Sequence, residues 1–261
     1  MTRYSYIVAF AVLLVFASGA FADEMTFSNP GTNIWWNGVV NVYVNPYTGL
    51  DDHNGQTLSL YCDDWNTDFS GNPTWNASIQ SLNSSNVASF LFGNVTYETG
   101  PGDPTVYDFT LDPSNHIQAT TYTASSFPGA FDLYLEVAVL FDGIQKTTDP
   151  IKQQELSAAA WSLFVNSSNV GTLVAAINNS GSTFAPDVAN DLTAAAATVA
   201  SQGAAIASGW EVVTPKPGSS TDLYPMQEFL TDPPPVPEPA SILLLGVVLL
   251  GCGRGLARRW S

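Results

Sequence analysis

Residues 149–165, DPIKQQELSAAAWSLFV, mark the point at which the chain changes from strand-like to helix-like sequence. After Asp149 and Pro150, apolar side chains recur at the three- and four-residue spacing that places them on one face of a helix. The stretch therefore predicts an amphipathic helix. Its apolar face consists of Leu156, Ala159, Ala160, Leu163 and Phe164.

Residues 186–208 predict a second helix, because they are rich in alanine, the strongest helix former. Pro186 and Asp187 suit its first turn, where proline is tolerated and an acidic side chain meets the positive end of the helix dipole. Gly209 is the expected terminator. The second half of the chain is thus predicted to be mainly helical.

The first half instead alternates apolar and polar residues, the period of two that is typical of strands. Residues 38–44 and 57–62 show this alternation, and residues 45–49, NPYTG, predict a turn between them. The predicted fold class is therefore α+β, with a β-rich first half and a helical second half in one domain.

The N-terminal residues have the three parts of a secretory signal peptide. Arg3 gives a positive start, and residues 7–16 are almost wholly apolar. Ala20 and Ala22 then place small side chains where a signal peptidase needs them. Cleavage is expected after Ala22, so the chain is predicted to be exported.

The C-terminal tail also has three parts in a fixed order. The triplet Pro237, Glu238 and Pro239 holds the backbone extended and denies a helix upstream. The uncharged apolar run that follows, residues 240–253, is long enough for a short transmembrane helix if the next arginine snorkels to the interface. A basic end favours a cytoplasmic C-terminus. It contains Arg254, Arg258 and Arg259.

This tail closely resembles the PEP-CTERM sorting signal of Gram-negative bacteria. An ordinary membrane anchor would account for the apolar run and the arginines, but not for the triplet placed directly before them. The resemblance implies recognition by an exosortase, anchoring in the inner membrane during sorting, and a final place at the cell surface or outside the cell. Signal peptidase is the second processing partner, and extracellular polysaccharide is a candidate partner of the mature protein.

These features divide the chain into a signal peptide at residues 1–22 and an extracytoplasmic α+β domain at residues 23–230. A proline-rich spacer at residues 231–236 precedes the sorting signal with its transmembrane helix at residues 237–261. Residues 23–238 contain all 23 acidic residues but only three of the seven basic ones, a net charge of about −20. Such a surface repels phosphate backbones, so nucleic acid is not expected as a partner.

Part of the body resembles the thioester domains of some exported proteins. Cys62 ends a strand-like stretch, and Trp161 lies in the helix-like stretch quoted first. In true members a cysteine and a glutamine condense to an internal thioester that traps amines. Ser157 stands at the glutamine position, four residues before Trp161. The resemblance also favours a helix at residues 131–141, FDLYLEVAVLF, although their alternation alone favours a strand.

No recognised catalytic or cofactor-binding motif occurs, and neither histidine lies in a metal-ligand or triad motif. Acid pairs such as Asp51 with Asp52 and Asp63 with Asp64 suit calcium chemically but do not have EF-hand spacing, so no metal or cofactor is predicted. We therefore predict a non-enzymatic structural or adhesive protein of the surface or the exopolysaccharide matrix. Two alternatives stay open: a thioester-type covalent adhesin, weakened by Ser157, and a secreted polysaccharide hydrolase, whose paired carboxylates would meet only in the fold.

Overall fold

A computed structural model describes residues 23–29, 34–36, 38–44, 46–52, 54–63, 65, 74–95, 105–216 and 227–232. In these ranges eight strands precede four α-helices, and two strands follow them, which confirms the α+β class with its β-rich first half and helical second half. The strands are β1 Asp23–Asn29, β2 Ile34–Trp36, β3 Asn41–Tyr43, β4 Tyr47–Asp51, β5 Gln56–Cys62, β6 Thr74–Ser81, β7 Tyr107–Leu111, β8 Ile117–Thr121, β9 Glu211–Pro215 and β10 Phe229–Thr231. The helices are α1 Ala130–Lys146, α2 Pro150–Ser162, α3 Val170–Asn178 and α4 Phe184–Gln202.

Six of the strands form a closed antiparallel barrel in the order β1-β4-β5-β10-β9-β6. β2 pairs with β3, and β7 pairs with β8, as two separate hairpins. Closure leaves these six strands without a free edge. The last strand, β10, lies between β5 and β9, so the end of the body is fixed inside the sheet.

The barrel interior is filled by alternate side chains of its strands. Phe229 of β10 pairs with Cys62 of β5 on one side and with Val213 of β9 on the other, and all three side chains belong to the interior cluster. The alternation predicted for residues 57–62 is confirmed. The other members of the cluster are Met25, Phe27, Tyr47, Leu58, Leu60, Trp75 and Ala77.

The side chains at the next position of each of these strands point out of the barrel and pack against the helices. Leu230 pairs with Tyr61 and with Val212, and these three side chains pack in the second, larger cluster with the helices. The ring of Tyr61 stacks on Phe141 of α1 with centroids 5.2 Å apart. α1 in turn contacts both α2 and α4.

Residues 131–141 lie in helix α1, although their alternating apolar pattern favours a strand. The segment is a helix, as the family resemblance implied, and the strand that its alternation favours is wrong. Its side chains from Leu133 to Ala138 are all buried. A helix covered on most sides has apolar residues at almost every position, so its sequence carries little information about period.

Two predicted boundaries are corrected. The turn expected at residues 45–49 is wrong for its second half, since β4 begins at Tyr47. Gly49 serves a close approach there: a Cβ atom at this position would lie 2.6 Å from Cδ1 of Leu60. α4 ends at Gln202 and is followed by Gly203 at φ 56°, so Gly203, and not Gly209, is its glycine cap.

Candidate functional site

The predicted processing residues lie outside the part of the chain that the structure describes. They are Ala20 and Ala22 of the signal peptide and Pro237, Glu238, Pro239, Arg254, Arg258 and Arg259 of the sorting signal. The transmembrane helix predicted within residues 237–261 lies outside it as well. None of the helices in the described ranges combines the length and the apolar character needed to cross a membrane.

The structure brings together two of the three residues of the predicted thioester remnant. The indole Nε1 of Trp161, on α2, donates a hydrogen bond of 2.9 Å to the backbone carbonyl of Cys62 at the end of β5. The side chain of Cys62 packs inside the barrel and is 1% exposed. Ser157 is fully buried on α2, about one turn before Trp161. Because a hydroxyl group offers no acyl carbon, Cys62 and Ser157 cannot form a thioester.

Trp161 is also the centre of an aromatic cluster that joins several elements. Its ring stacks on Trp35 of β2 at 6.1 Å and lies 5.2 Å from Trp65. Trp35 stacks on Phe184 of α4 at 5.3 Å, and its Nε1 donates to the hydroxyl of Ser180 at 2.9 Å. These contacts make the region around Cys62 a buried structural junction between the barrel and the helices.

A second junction is built around the fully buried carboxyl group of Glu228, just before β10. Its Oε2 accepts hydrogen bonds from the backbone N–H of Leu91 at 2.8 Å and from the hydroxyl of Thr214 at 2.6 Å. Its Oε1 accepts from the hydroxyl of Tyr134 on α1, which itself accepts from the N–H of Phe92 at 3.0 Å. Burial, and next the charge of Glu228, raise the pKa of Tyr134 well above its usual value, so the phenol keeps its proton and donates.

The described part of the chain also contains an open cavity of about 360 Å³ between the β7–β8 hairpin and helices α1 and α4. Aromatic and acidic side chains line it: Tyr107 and Asp108 on β7, Tyr122 after β8, and Glu136 on α1. Its volume lies in the range of small-molecule sites. The hydroxyl groups of Thr110, Ser126 and Thr193 complete its polar lining.

Glu136 is the unusual group of this cavity. It is 7% exposed, and its carboxyl group has no hydrogen bond or ion pair with any residue that the structure describes. Burial, and then the negative charges of Asp132 and Asp108, raise the pKa of Glu136 to about 7. Burial also raises the pKa of Asp132 and of Asp108. A buried acid whose pKa is raised and which lines a cavity marks a candidate functional site.

Sequence reasoning did not single out Glu136, Asp108 or Tyr122. One signal was available, because Glu136 is the single charged residue in the apolar run 133–141. Once that run is known to be a buried helix, an acid in its middle requires either a partner or a function. The hairpin residues carried no such signal, since acids and tyrosines are common on exposed strands.

In each of the two acid pairs considered for calcium, one aspartate is buried, unlike the side chains of a solvated loop. Asp51 is 4% exposed and accepts a hydrogen bond of 2.6 Å from the Nδ2 of Asn54, and Asp63 is fully buried. Within the described ranges no group of three or more histidine, cysteine, aspartate or glutamate residues could hold a metal ion. Asp64, the other member of the second pair, lies outside the described residues.

Comparison with known proteins gives one match. The family model of the PEP-CTERM protein-sorting motif matches residues 235–259, which contain the Pro-Glu-Pro triplet, the apolar run and all three terminal arginines. Comparisons with curated proteins and with solved structures found no match, so the thioester-domain likeness stays a prediction. The chain therefore carries a PEP-CTERM protein-sorting motif, the mark of an exported protein that an exosortase processes at the membrane.

Proposed function

We propose that the body of the chain is a non-enzymatic structural or adhesive component of the bacterial surface or of its exopolysaccharide matrix. The sorting motif at residues 235–259 carries this proposal, because it marks an exported protein that is processed at the membrane. The acidic composition of residues 23–238 suits a protein that must stay soluble outside the cell.

The construction of the barrel supports a structural role. Its interior holds large, fully buried side chains such as Phe27, Trp75 and Phe229, so this space stabilises the fold. β10, the last described element before the sorting motif, is hydrogen-bonded to strands on both sides. A force applied through the tail would therefore act on a strand that is held by hydrogen bonds to β5 and β9.

Cell fractionation of the wild type beside a Pro237→Ala/Glu238→Ala/Pro239→Ala variant tests the sorting step. We expect the variant to stay in the inner membrane with its tail uncut, and the wild type to reach the surface or the medium with a shortened C-terminus by mass spectrometry. A Pro233→Ala/Pro234→Ala variant, changed just outside residues 235–259, is the matched control and should behave as wild type. Identical fractionation and identical termini for the triplet variant and the wild type would contradict the proposal.

A secreted polysaccharide hydrolase is the second candidate, and the cavity at Glu136 favours it. Glu136, with a pKa of about 7, has the protonation behaviour of a general acid, and Asp108 lines the same cavity as a second carboxyl group. The test is the release of reducing ends from purified exopolysaccharide. Release by the wild type that is lost in Glu136→Gln would favour the hydrolase, whereas intact polysaccharide supports the non-enzymatic role.

A further inference from the structure

The cavity between the β7–β8 hairpin, α1 and α4 combines features that select a ligand. Its deepest acid, Glu136, is more than nine-tenths buried and has no hydrogen-bond partner among the described residues. None of the described residues that line the cavity is basic. A ligand that brings a donor to this carboxyl group would remove an unfavourable feature of the free protein.

The charges around Glu136 favour a cation. Asp132 faces it from the same helix, and Asp108 and Tyr122 face it from the hairpin side. α4 contributes no titratable side chain to the lining; its residues there are Leu192, Thr193 and Ala196. The field at the carboxyl group is therefore negative from two sides, which attracts an ammonium group and repels phosphate, sulfate or uronate.

The rest of the lining favours a sugar as the carrier of that ammonium group. The rings of Tyr107 and Tyr122 are half-buried and suit contact with the C–H face of a pyranose ring. The hydroxyl group of Thr110 can pair with a sugar hydroxyl, whereas the hydroxyl groups of Ser126 and Thr193 donate to the backbone carbonyls of Thr123 and Ala189 and can still accept a hydrogen bond. A lysine side chain would leave these hydroxyl groups unused, and a neutral sugar would make no use of the negative field.

We propose that this cavity binds a protonated amino sugar residue of an extracellular polysaccharide, with its ammonium group against Glu136 and Asp108 and its ring against Tyr107 and Tyr122. The proposal rests on the proposed function, because only a protein placed outside the cell meets such a polysaccharide. The proposal names the class of ligand that a structural or adhesive protein of this kind would bind.

Binding of this kind is coupled to a proton. With a pKa of about 7, the carboxyl group of Glu136 is about half protonated at neutral pH in the free protein. An ammonium group pairs with the ionised form, so binding lowers the pKa of Glu136 and releases a proton. Affinity should fall at acid pH, where Glu136 becomes protonated, and fall again at alkaline pH, where the amine loses its own proton.

The experiment is calorimetric titration of the exported protein, purified from the envelope or the medium, with a glucosamine trimer at about 0.15 M salt, where surface charges are largely screened. We expect binding of the glucosamine trimer to exceed that of the N-acetylglucosamine trimer by about tenfold or more, the value of one charge-assisted hydrogen bond. Glu136→Gln should lose a similar factor and the proton release. Asp142→Asn removes one charge from a half-exposed position of the same helix and should bind within about twofold of wild type.

Equal affinity for the two trimers, or unchanged affinity and proton release in Glu136→Gln, would overturn the proposal. Binding of trilysine as tight as that of the glucosamine trimer would overturn the assignment to a sugar. Thermal unfolding of each variant confirms that it is folded, and Asp108→Asn gives a second test from the hairpin side. If the glucosamine trimer does not bind but the triplet variant and its control fractionate as expected, the ligand assignment alone is refuted. If the trimer binds but the triplet variant fractionates like the wild type, the proposed function alone is refuted.

Discussion

Replacement of Glu136 by glutamine should stabilise the protein at pH 8 and leave its stability at pH 4 almost unchanged. Burial, and then Asp132 and Asp108, raise the pKa of Glu136 from 4.5 to about 7, so the folded state holds this proton more tightly than the unfolded state. Glutamine has nearly the shape of the protonated acid but never becomes charged. The substitution therefore removes the cost of ionising a buried acid and keeps the packing of α1.

The magnitude follows from the two pKa values. A change from 4.5 to about 7 corresponds to about 3 kcal/mol in the free energy of unfolding. Between these pH values the folded state binds more protons than the unfolded state, so the contribution of the protonated acid is fully present below pH 4.5 and is lost as the pH rises through about 7. At pH 8 the Glu136→Gln variant should be more stable than wild type by up to about 3 kcal/mol, and at pH 4 the two should agree within about 0.5 kcal/mol.

Urea unfolding followed by tryptophan fluorescence at several pH values between 4 and 8 measures this difference. Other carboxyl groups whose pKa burial raises, such as Glu155 and Asp191, contribute to both proteins and largely cancel in the comparison. Asp142→Asn, on the same helix but with a side chain that is 45% exposed, should stay within about 0.5 kcal/mol of wild type throughout. A Glu136→Gln variant that is less stable than wild type at pH 8, or that follows the same pH dependence, would refute the reasoning.

Three further predictions concern other parts of the body. Glu228→Ala deprives three hydrogen-bond donors of a buried acceptor and should lower the free energy of unfolding by about 3–5 kcal/mol in urea titrations; a loss below about 1 kcal/mol would contradict the junction. Lys152→Met removes the cation that lies 2.7 Å from Asp191 and 3.3 Å from Glu155. It should cost about 1 kcal/mol at pH 7 and less at pH 3, where the carboxyl groups are protonated; an equal cost at both pH values would speak against these ion pairs. Cys62 should react with a thiol reagent only after unfolding, and the intact mass should show no loss of ammonia; fast labelling of the native protein would show that the barrel opens.

The spacing of apolar residues predicts those elements that bury one face and expose the other. β5 could be read from residues 57–62 because one of its faces points into the barrel and the other does not. α1 could not be read from periodicity, since it is buried on most sides. Pro46 and Gly49 are local signals that favour a turn at residues 45–49, whereas the pairing of β4 with β1 and β5 is a long-range contact that no local pattern contains.

The cavity was beyond sequence reasoning for a different physical reason. Its acids come from the hairpin and from α1, and their distance depends on how the β7–β8 hairpin and α1 each pack against α4. The sequence shows Glu136 within an apolar run, and burial of an acid there lowers the stability of the fold. A group that costs stability and has no partner in the described fold is explained more simply by a ligand than by the fold itself.

The position of β10 connects the sorting motif to the stability of the body. β10 ends at Thr231, a few residues before the motif begins at residue 235. Phe229 fills the barrel interior, and Glu228 joins the barrel to α1, so both of these buried side chains lie just upstream of the motif. Removal of the tail at the triplet would therefore leave the barrel closed, whereas a cut before residue 228 would remove one of its six strands. Because β10 pairs with strands from both halves of the chain, the body can complete its barrel only after nearly all of it has been synthesised and exported.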